Sequence, residues 1–173
     1  MSKNRLTKIY TKTGDEGLTS IGGNEKIYKT SPLIEAIGSV DEANSAIGMM
    51  ERNDIVEKIQ QDLFDLGAEL AGSKTIKITP ERITWLENVI DDYNEYLGPL
   101  TSFILPTGPI HNARAVVRRA ERTVWTAMVT FENNDQINIS TDIAKYLNRL
   151  SDLLFVMARY YSKDTEKLWE FEK

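Results

Sequence analysis

The sequence predicts an all-α fold, a five-helix bundle that follows an irregular N-terminal arm. Apolar residues recur with helical spacing in five segments, and short stretches with glycine, proline or asparagine separate these segments. The sequence does not show the alternation of strands and helices that would indicate a Rossmann or P-loop sheet. We therefore expect one domain over residues 1–173, with the arm at residues 1–30 and the helical bundle at residues 31–173.

The first three helices have recognisable ends. Ser31 is the predicted cap of the first helix, which ends near Gly48. An apolar stripe over residues 55–70 predicts the second helix. The third begins after Thr79 and extends to the Gly98-Pro99 pair, because proline cannot continue a helix.

The last two helices are the longest. The fourth is predicted from Ile110 to Glu132, and its apolar face consists of Ala113, Val117, Ala120, Val124 and Ala127. Ser140 is the predicted cap of the fifth helix, whose apolar positions recur from Ile143 to Tyr161. A short strand from Lys8 to Thr11 is also compatible with the arm.

The composition excludes several classes of function. The chain has no cysteine, so it has no disulfide framework, no thiolate zinc site and no cysteine nucleophile. Its net charge of −5 and the lack of a long basic run argue against nucleic-acid binding. No stretch approaches the roughly 20 apolar residues that span a bilayer, and no signal segment begins the chain. We therefore expect a cytoplasmic protein that binds no membrane.

A row of arginines on the fourth helix indicates an anion site. Arg114, Arg118 and Arg122, which we call the arginine ridge, are spaced four residues apart and share one face. Each like-charge pair at this spacing costs roughly 0.2–0.5 kcal/mol, so a bound anion would relieve the repulsion. The alternative is a solvated surface with no ligand.

An N-terminal loop, residues 11–20, has the composition of a phosphate-binding segment. It combines hydroxyls, glycines and Lys12. Gly17 and Gly22 have the spacing of the Walker A glycines, but Gly23 stands where that motif needs lysine, which argues against a conventional P-loop. Taken alone, the composition of the loop favours a plain turn.

Five motifs in order along nearly the whole chain resemble one family. They are Lys8 to Gly17, Glu35 to Glu42, Phe103 to Pro106, Val117 to Arg122 and Asn148 to Asp152. Together they strongly resemble the PduO-type ATP:cob(I)alamin adenosyltransferases. The resemblance implies a homotrimer of five-helix bundles that binds ATP with Mg²⁺, and cob(I)alamin, between adjacent subunits.

The family reaction transfers the 5′-deoxyadenosyl group of ATP to the cobalt of cob(I)alamin, giving adenosylcobalamin and triphosphate. Because the reduced cobalt is itself the nucleophile, the protein needs no serine, cysteine or histidine nucleophile. Its expected tasks are to align the reactants, to stabilise charge on the triphosphate and to exclude water.

The resemblance also implies which residues form the ATP site. They are Thr11, Lys12, Thr13, Gly14, Thr19, Ser20 and Lys29 near the N-terminus, Arg118, Arg119, Ala120, Glu121 and Arg122 on the fourth helix, and Asn148 on the fifth. Lys12, Lys29 and Arg118 are the best candidates for triphosphate contacts. Glu121 and Asn148 are better suited to binding ribose, adenine or a magnesium-bound water. The Mg²⁺ itself would be held mainly by the ATP phosphates and water.

Three further residues carry roles implied by the resemblance. Asp41 and Arg114 match a salt bridge across the subunit interface, and Phe103 matches a corrinoid-facing residue that displaces the lower cobalt ligand. Without the resemblance, Asp41 would be a solvent-facing acid and Phe103 a core residue. The segment from Phe103 to Arg114 is several residues shorter than the usual family pattern.

Two other functions remain open at this point. The chain could be a nucleotide-sensing bundle without chemistry, or a structural bundle whose arginines join subunits. A reductase and an adenosylcobalamin-dependent enzyme are candidate partners of the adenosyltransferase. We expect His111 to be a structural or interface residue that forms hydrogen bonds. The aromatic C-terminal residues 167–173 could dock on the bundle or cover the corrinoid; we expect docking, with Trp169 as a packing residue.

Overall fold

The computed structural model describes residue 10 and residues 12–22, 25–134 and 136–170. These contain a two-stranded hairpin and five helices: β1 Leu18–Ile21, β2 Glu25–Tyr28, α1 Pro32–Ile47, α2 Asp54–Leu70, α3 Pro80–Asn94, α4 Gly108–Thr130 and α5 Thr141–Ser162. The predicted five-helix bundle is confirmed. Of the candidate strand from Lys8 to Thr11, only Tyr10 lies within the described residues, so that strand stays a prediction.

Side-chain caps begin three of the helices. The Ser31 hydroxyl accepts a hydrogen bond from the backbone N–H of Leu33 at 3.4 Å, and the Ser140 hydroxyl accepts one from Asp142 at 3.2 Å. Both predicted caps are therefore confirmed. Asn53 caps α2 in the same way, accepting from the N–H of Val56 at 3.0 Å.

Helix α3 ends earlier than the sequence predicts, at Asn94 rather than beside Gly98. The N–H of Tyr96 donates to the carbonyl of Tyr93 at 3.2 Å, and the N–H of Leu97 donates to that of Asn94 at 3.0 Å. These bonds span three residues instead of four, so the chain tightens into a turn before it reaches the glycine.

The second half of the N-terminal arm is more regular than predicted. Strands β1 and β2 pair antiparallel, with Leu18 opposite Tyr28 and Thr19 opposite Ile27, and Ile21 and Ile27 pack against the core. Gly22, at φ +50°, lies so close to the end of α2 that a Cβ atom there would be 2.9 Å from the Ala71 carbonyl oxygen. The hairpin is thus attached to the bundle at the end of α2.

Helix α1 packs against α2 and α4, and α5 packs against α4 and α3. Helix α4 therefore lies between α1 and α5. Its predicted apolar face is confirmed, because Ala113, Val117, Ala120, Val124 and Ala127 are all fully buried. With two neighbours covering this face, α4 presents the arginine ridge on its remaining side.

A buried carboxylate joins α2, α3 and α5. Asp62 accepts hydrogen bonds from the Tyr146 hydroxyl at 3.0 Å, from Arg82 Nη1 at 2.9 Å and from Lys58 Nζ at 3.2 Å. Three donors, two of them cationic, offset the cost of burying this charge.

None of the described helices has the length and apolar character needed to cross a bilayer.

Candidate active site

The arginine ridge lies on the exposed side of α4. Arg118 and Arg122 are exposed, while Arg114 is partly buried. In the described part of the chain, no carboxylate lies within ion-pair distance of Arg118 or Arg122. Two adjacent guanidinium groups are therefore available to an anion.

The other charged residues of this segment are engaged with neighbouring helices. Arg119 forms an ion pair with Glu42 of α1, and the Glu121 carboxylate accepts a hydrogen bond from Asn148 Nδ2 of α5 at 3.4 Å. Ala120, which lies between Arg119 and Glu121 in the sequence, is fully buried. The segment predicted to bind ATP thus divides into outward-facing residues and residues that hold α4 to its neighbours.

In the N-terminal loop, Gly14 and Lys29 lie against each other. A Cβ atom at Gly14 would be 3.0 Å from Lys29 Nζ, so a side chain at this position would displace the ammonium group. The N–H of Lys29 also donates to the carbonyl of Gly17 at 2.9 Å, and the N–H of Gly17 donates to that of Gly14 at 3.3 Å. These contacts place a cation on the backbone of the loop.

The remaining loop residues extend this polar surface. Lys12 and Thr13 are exposed, and Lys12 has a φ of +60°, a backbone conformation uncommon outside glycine. Thr19 and Ser20 lie on β1, opposite Ile27 and Lys26. Thr11 lies outside the described residues. Among the residues the structure describes, no ion pair or hydrogen bond joins the loop to Arg118 or Arg122, so one chain does not directly connect the two cationic segments.

Arg114 is held in an apolar environment near the start of α4. Its guanidinium carbon lies 5.8 Å from the centre of the Phe155 ring, and Nε is buried without a hydrogen-bond partner among the described residues. Burial and the charge of Arg118 lower the pKa of Arg114 below its ordinary value. A carboxylate partner would stabilise this guanidinium.

Asp41, the predicted partner of Arg114, lies elsewhere. It is exposed on α1 and lines a groove of about 310 Å³ between α1 and α2, together with Gly38 and Phe64. Arg114 faces α5, on the other side of α4. The two residues do not form a salt bridge within the described chain, so their predicted pairing requires a second subunit.

His111 is buried beside Arg114, with its ring 6.3 Å from that of Phe155. Burial, followed by the charge of Arg114, lowers its pKa, while Glu166 has the opposite effect. In the described structure Nδ1 has no hydrogen-bond partner. The burial of His111 agrees with the predicted structural role, whereas the predicted hydrogen bonding is not found at Nδ1 among the described residues.

Phe103 is not a core residue, because 78% of its surface is exposed. The C-terminal segment, residues 163–170, lies alongside it as a short antiparallel bridge between Ile104 and Leu168. The N–H of Trp169 donates to the Phe103 carbonyl at 2.6 Å, and the two ring centres are 6.3 Å apart. The predicted docking of the C-terminal residues is confirmed for the described part.

Trp169 was expected from the sequence to be a packing residue, but its position beside Phe103 was not predicted. The only signal for it was an aromatic pair near the end of the chain, which does not specify a position in space.

The buried side chain of Arg159 anchors both the segment after α3 and the segment after α5. It donates to the carbonyl of Gly98 at 3.1 Å and pairs with Glu166 at 3.2 Å.

The described residues contain no cluster of three or more histidine, aspartate or glutamate side chains arranged to hold a metal ion. Glu121, which precedes Arg122 in the sequence, and its hydrogen-bond partner Asn148 are polar side chains that could orient a metal-bound water.

Comparisons with known proteins agree with this geometry. Residues 9–161 match the family described as cobalamin adenosyltransferase. The chain is 40% identical to the corrinoid adenosyltransferase of Mycobacterium bovis over 184 residues, covering 95% of this chain and 93% of the relative. It is 41% identical to the human corrinoid adenosyltransferase MMAB over 181 residues, covering 90% of this chain and 69% of the relative.

Solved structures show the same relationship. A variant PduO-type ATP:corrinoid adenosyltransferase from Lactobacillus reuteri, complexed with cobalamin and ATP, superposes with a TM-score of 0.84 at 35% identity, covering 96% of this chain and 98% of that one. A second variant of this type from the same organism, complexed with ATP, gives a TM-score of 0.79 at 36% identity, covering 95% of this chain and 100% of the other. This chain belongs to the cobalamin adenosyltransferase family.

Proposed function

We propose that this chain transfers the 5′-deoxyadenosyl group of ATP to the cobalt of cob(I)alamin, giving adenosylcobalamin and triphosphate. The chain is an ATP:corrinoid adenosyltransferase; cob(I)alamin as the particular corrinoid belongs to the proposal. The observation that carries it is the pair of exposed guanidinium groups, Arg118 and Arg122, which have no carboxylate partner among the described residues, whereas Arg119 and Glu121 beside them are bonded to neighbouring helices.

The reaction needs electrostatic help mainly on the leaving group. The electron pair of the reduced cobalt forms the new bond to C5′, while the bond from C5′ to the triphosphate oxygen breaks and its electrons leave with that oxygen. Arg118, Lys12 and Lys29 bind the triphosphate in our proposal, because fixed cations stabilise the charge that develops there. Arg122 extends the same surface.

The uncharged and paired residues of the site have positioning roles. Thr11, Thr13, Thr19 and Ser20 offer hydroxyls, and Gly14 and Ala120 contribute backbone next to them. Arg119 holds α4 to α1 through Glu42. Glu121 and Asn148 act together on ribose, adenine or a water of the Mg²⁺ that accompanies ATP, a role supported by their hydrogen bond.

A complete site requires more than one subunit in this proposal. The N-terminal loop and the arginine ridge are not directly joined within the described chain, and Asp41 and Arg114 face different sides of it. We assign the chain to a homotrimer in which the loop of one subunit meets α4 of the next. The pairing of Asp41 with Arg114 across the interface would give Arg114 a carboxylate partner, which the described residues of its own chain do not supply.

The corrinoid lies at Phe103 in this proposal. A bulky apolar ring below the cobalt displaces the lower axial ligand, and the resulting four-coordinate cob(II)alamin is easier to reduce to the nucleophilic cob(I) form. The exposure of Phe103, together with the Trp169 ring beside it, supports an apolar surface for this purpose.

Family membership favours this function over a nucleotide sensor or a structural bundle. We also retain three predictions from the sequence: a cytoplasmic location, a reductase that supplies the electron, and an enzyme that uses adenosylcobalamin.

The decisive experiment is incubation with MgATP and chemically reduced cobalamin. We expect a light-sensitive alkylcobalamin spectrum and release of triphosphate in equal amounts. ATP binding without product would instead favour the sensor, and the absence of ATP binding would favour the structural bundle.

A further inference from the structure

Four tyrosines form a continuous cluster where α3 and α5 end. The ring centres of Tyr93 and Tyr160 are 5.0 Å apart, those of Tyr160 and Tyr161 are 5.3 Å apart, and those of Tyr96 and Tyr160 are 5.8 Å apart. The hydroxyl oxygens of Tyr93 and Tyr161 are hydrogen bonded at 3.2 Å. These contacts fix the rings relative to one another, so their faces form a defined surface.

Much of this aromatic area is open to solvent. Tyr96 is 68% exposed and Tyr161 is 55% exposed. Tyr93, Tyr96 and Tyr160 line a shallow cavity of about 190 Å³ with Ile55, Val89 and Asp92. This volume is below the roughly 300–1,000 Å³ typical of small-molecule pockets, and it is better suited to a single long side chain.

The surroundings of the cluster are negatively charged. Asp92 lies in the last turn of α3, and Glu95 and Tyr96 lie in the turn that follows it. Both carboxylates are exposed, and within the described part of the chain neither forms an ion pair. Burial and the Tyr161 hydroxyl raise the pKa of Tyr93, so its ring stays neutral and the negative charge comes from the carboxylates.

The cluster already interacts with one cation of this chain. Lys163 Nζ lies 5.8 Å from the centre of the Tyr160 ring, within the range at which an ammonium is attracted to an aromatic face. A cationic side chain from outside would meet the same kind of face on Tyr96, with carboxylates next to it.

We propose that this tyrosine surface, defined by Tyr93, Tyr96, Tyr160, Tyr161, Asp92 and Glu95, binds a basic segment of a partner protein by receiving an arginine or lysine side chain in its cavity. Negative charge excludes nucleic acid as the occupant. An apolar helix is also unsuitable, because it would desolvate two unpaired carboxylates. A cation satisfies the carboxylates and the ring faces together.

The surface is separate from the proposed catalytic residues. It lies on α5, on the end of α3 and on the turn that follows α3, whereas the arginine ridge is on α4 and the N-terminal loop precedes α1. The chain that leaves α3 beside Tyr96 leads directly to Phe103. A partner held here would therefore be close to the end of the bundle that carries Phe103 and Trp169.

The test uses the full-length protein and a fluorescent peptide of alternating arginine and serine, with binding measured by anisotropy. A peptide with citrulline in place of arginine keeps the shape but removes the charge. We expect the arginine peptide to bind, the citrulline peptide to bind far more weakly, and added salt to reduce binding. Equal binding of both peptides would contradict the proposal.

Two sets of variants locate the contact. Asp92→Asn combined with Glu95→Gln should weaken binding by about three- to thirtyfold, while the same loss of charge at exposed residues elsewhere, Glu35→Gln combined with Glu132→Gln, should change it little. Tyr96→Leu should weaken binding by about two- to fivefold, and Tyr96→Phe should retain it. If the control pair has the same effect as the first pair, the peptide is merely attracted to an acidic protein and the proposal is wrong.

Light scattering tests whether the tyrosine surface instead binds a second copy of this chain. We expect Tyr96→Leu to leave the molar mass in solution unchanged. A change in mass would identify the tyrosine surface as a contact between copies and overturn the assignment to a basic partner.

Discussion

The N–H of Trp169 donates a hydrogen bond to the carbonyl of Phe103 at 2.6 Å. The Ser102 hydroxyl donates to the Trp169 carbonyl at 2.7 Å, so the backbone of one segment is bonded to the other on both sides of the tryptophan. This arrangement brings together two aromatic rings that are distant in the sequence, and it makes the C-terminal segment part of the candidate corrinoid site.

Phe103→Ala should remove the apolar ring below the cobalt. We expect electronic spectra of cob(II)alamin with MgATP to lose the four-coordinate signature, because the lower ligand or water can then return to the metal. An unchanged spectrum would exclude the lower-ligand role. ATP binding, measured separately by calorimetry, should be retained.

Trp169→Ala should weaken corrinoid use without affecting ATP. We expect a higher KM for cobalamin and an unchanged KM for ATP, since the ring contacts Phe103 and not the arginine ridge. Trp169→Phe should preserve most of the effect of the ring. Equal kinetics for the wild type and the alanine variant would show that the tryptophan serves only to dock the segment.

Arg118→Ala and Lys12→Ala should each reduce kcat/KM for MgATP by about 100- to 1,000-fold, because each removes a fixed cation from the leaving triphosphate. The far-UV circular dichroism should not change, since both side chains are exposed. Arg52→Ala is the matched control, as this exposed arginine pairs with Glu57 on α2. Near-normal turnover of both site variants would remove them from the ATP site.

Asp41→Ala and Arg114→Ala should each impair activity, and their effects should not add. A double-mutant cycle should give a coupling energy of about 0.5–3 kcal/mol, as expected for residues in contact. Because the two residues do not pair within one described chain, coupling would indicate contact between subunits. Simple additivity would refute the proposed pair.

Tyr146→Phe should lower the free energy of unfolding by about 1–3 kcal/mol at neutral pH, since Asp62 loses one of its three donors. Burial and the neighbouring Asp62 raise the pKa of Tyr146 well above its ordinary value. The unfolded chain therefore releases this proton first, and stability that is fully present below about pH 10 declines as the pH rises further.

The measurement is urea unfolding across this alkaline range. The wild type should lose stability more steeply with pH than Tyr146→Phe, by up to about 1.4 kcal/mol per pH unit. Parallel curves for the two proteins would show that Tyr146 does not contribute to the pH dependence.

The helices could be predicted from the sequence because their apolar spacing and their caps agree. Ser31 and Ser140 are local signals that act on the next turn of the chain, and the buried alanine and valine positions of α4 follow from periodicity alone. The end of α3 was less predictable, since the choice between a final helical turn and a tighter one depends on bonds at Tyr96 and Leu97.

The hairpin was not predicted because β1 and β2 have four residues each and half of their positions are polar. Its fixed position depends on contact with the end of α2 at Gly22, which the sequence does not reveal. Similarly, the resemblance assigned Arg119 and Glu121 to ATP, but it could not predict that α1 and α5 supply partners for them, since those partners are distant in sequence.

Arg159 has a mechanical consequence for the molecule. This one guanidinium is bonded both to the chain leaving α3 and to the segment following α5, so the two peptides that carry Phe103 and Trp169 share an anchor on α5. Loss of the Arg159 side chain would loosen both peptides together, and with them the two rings.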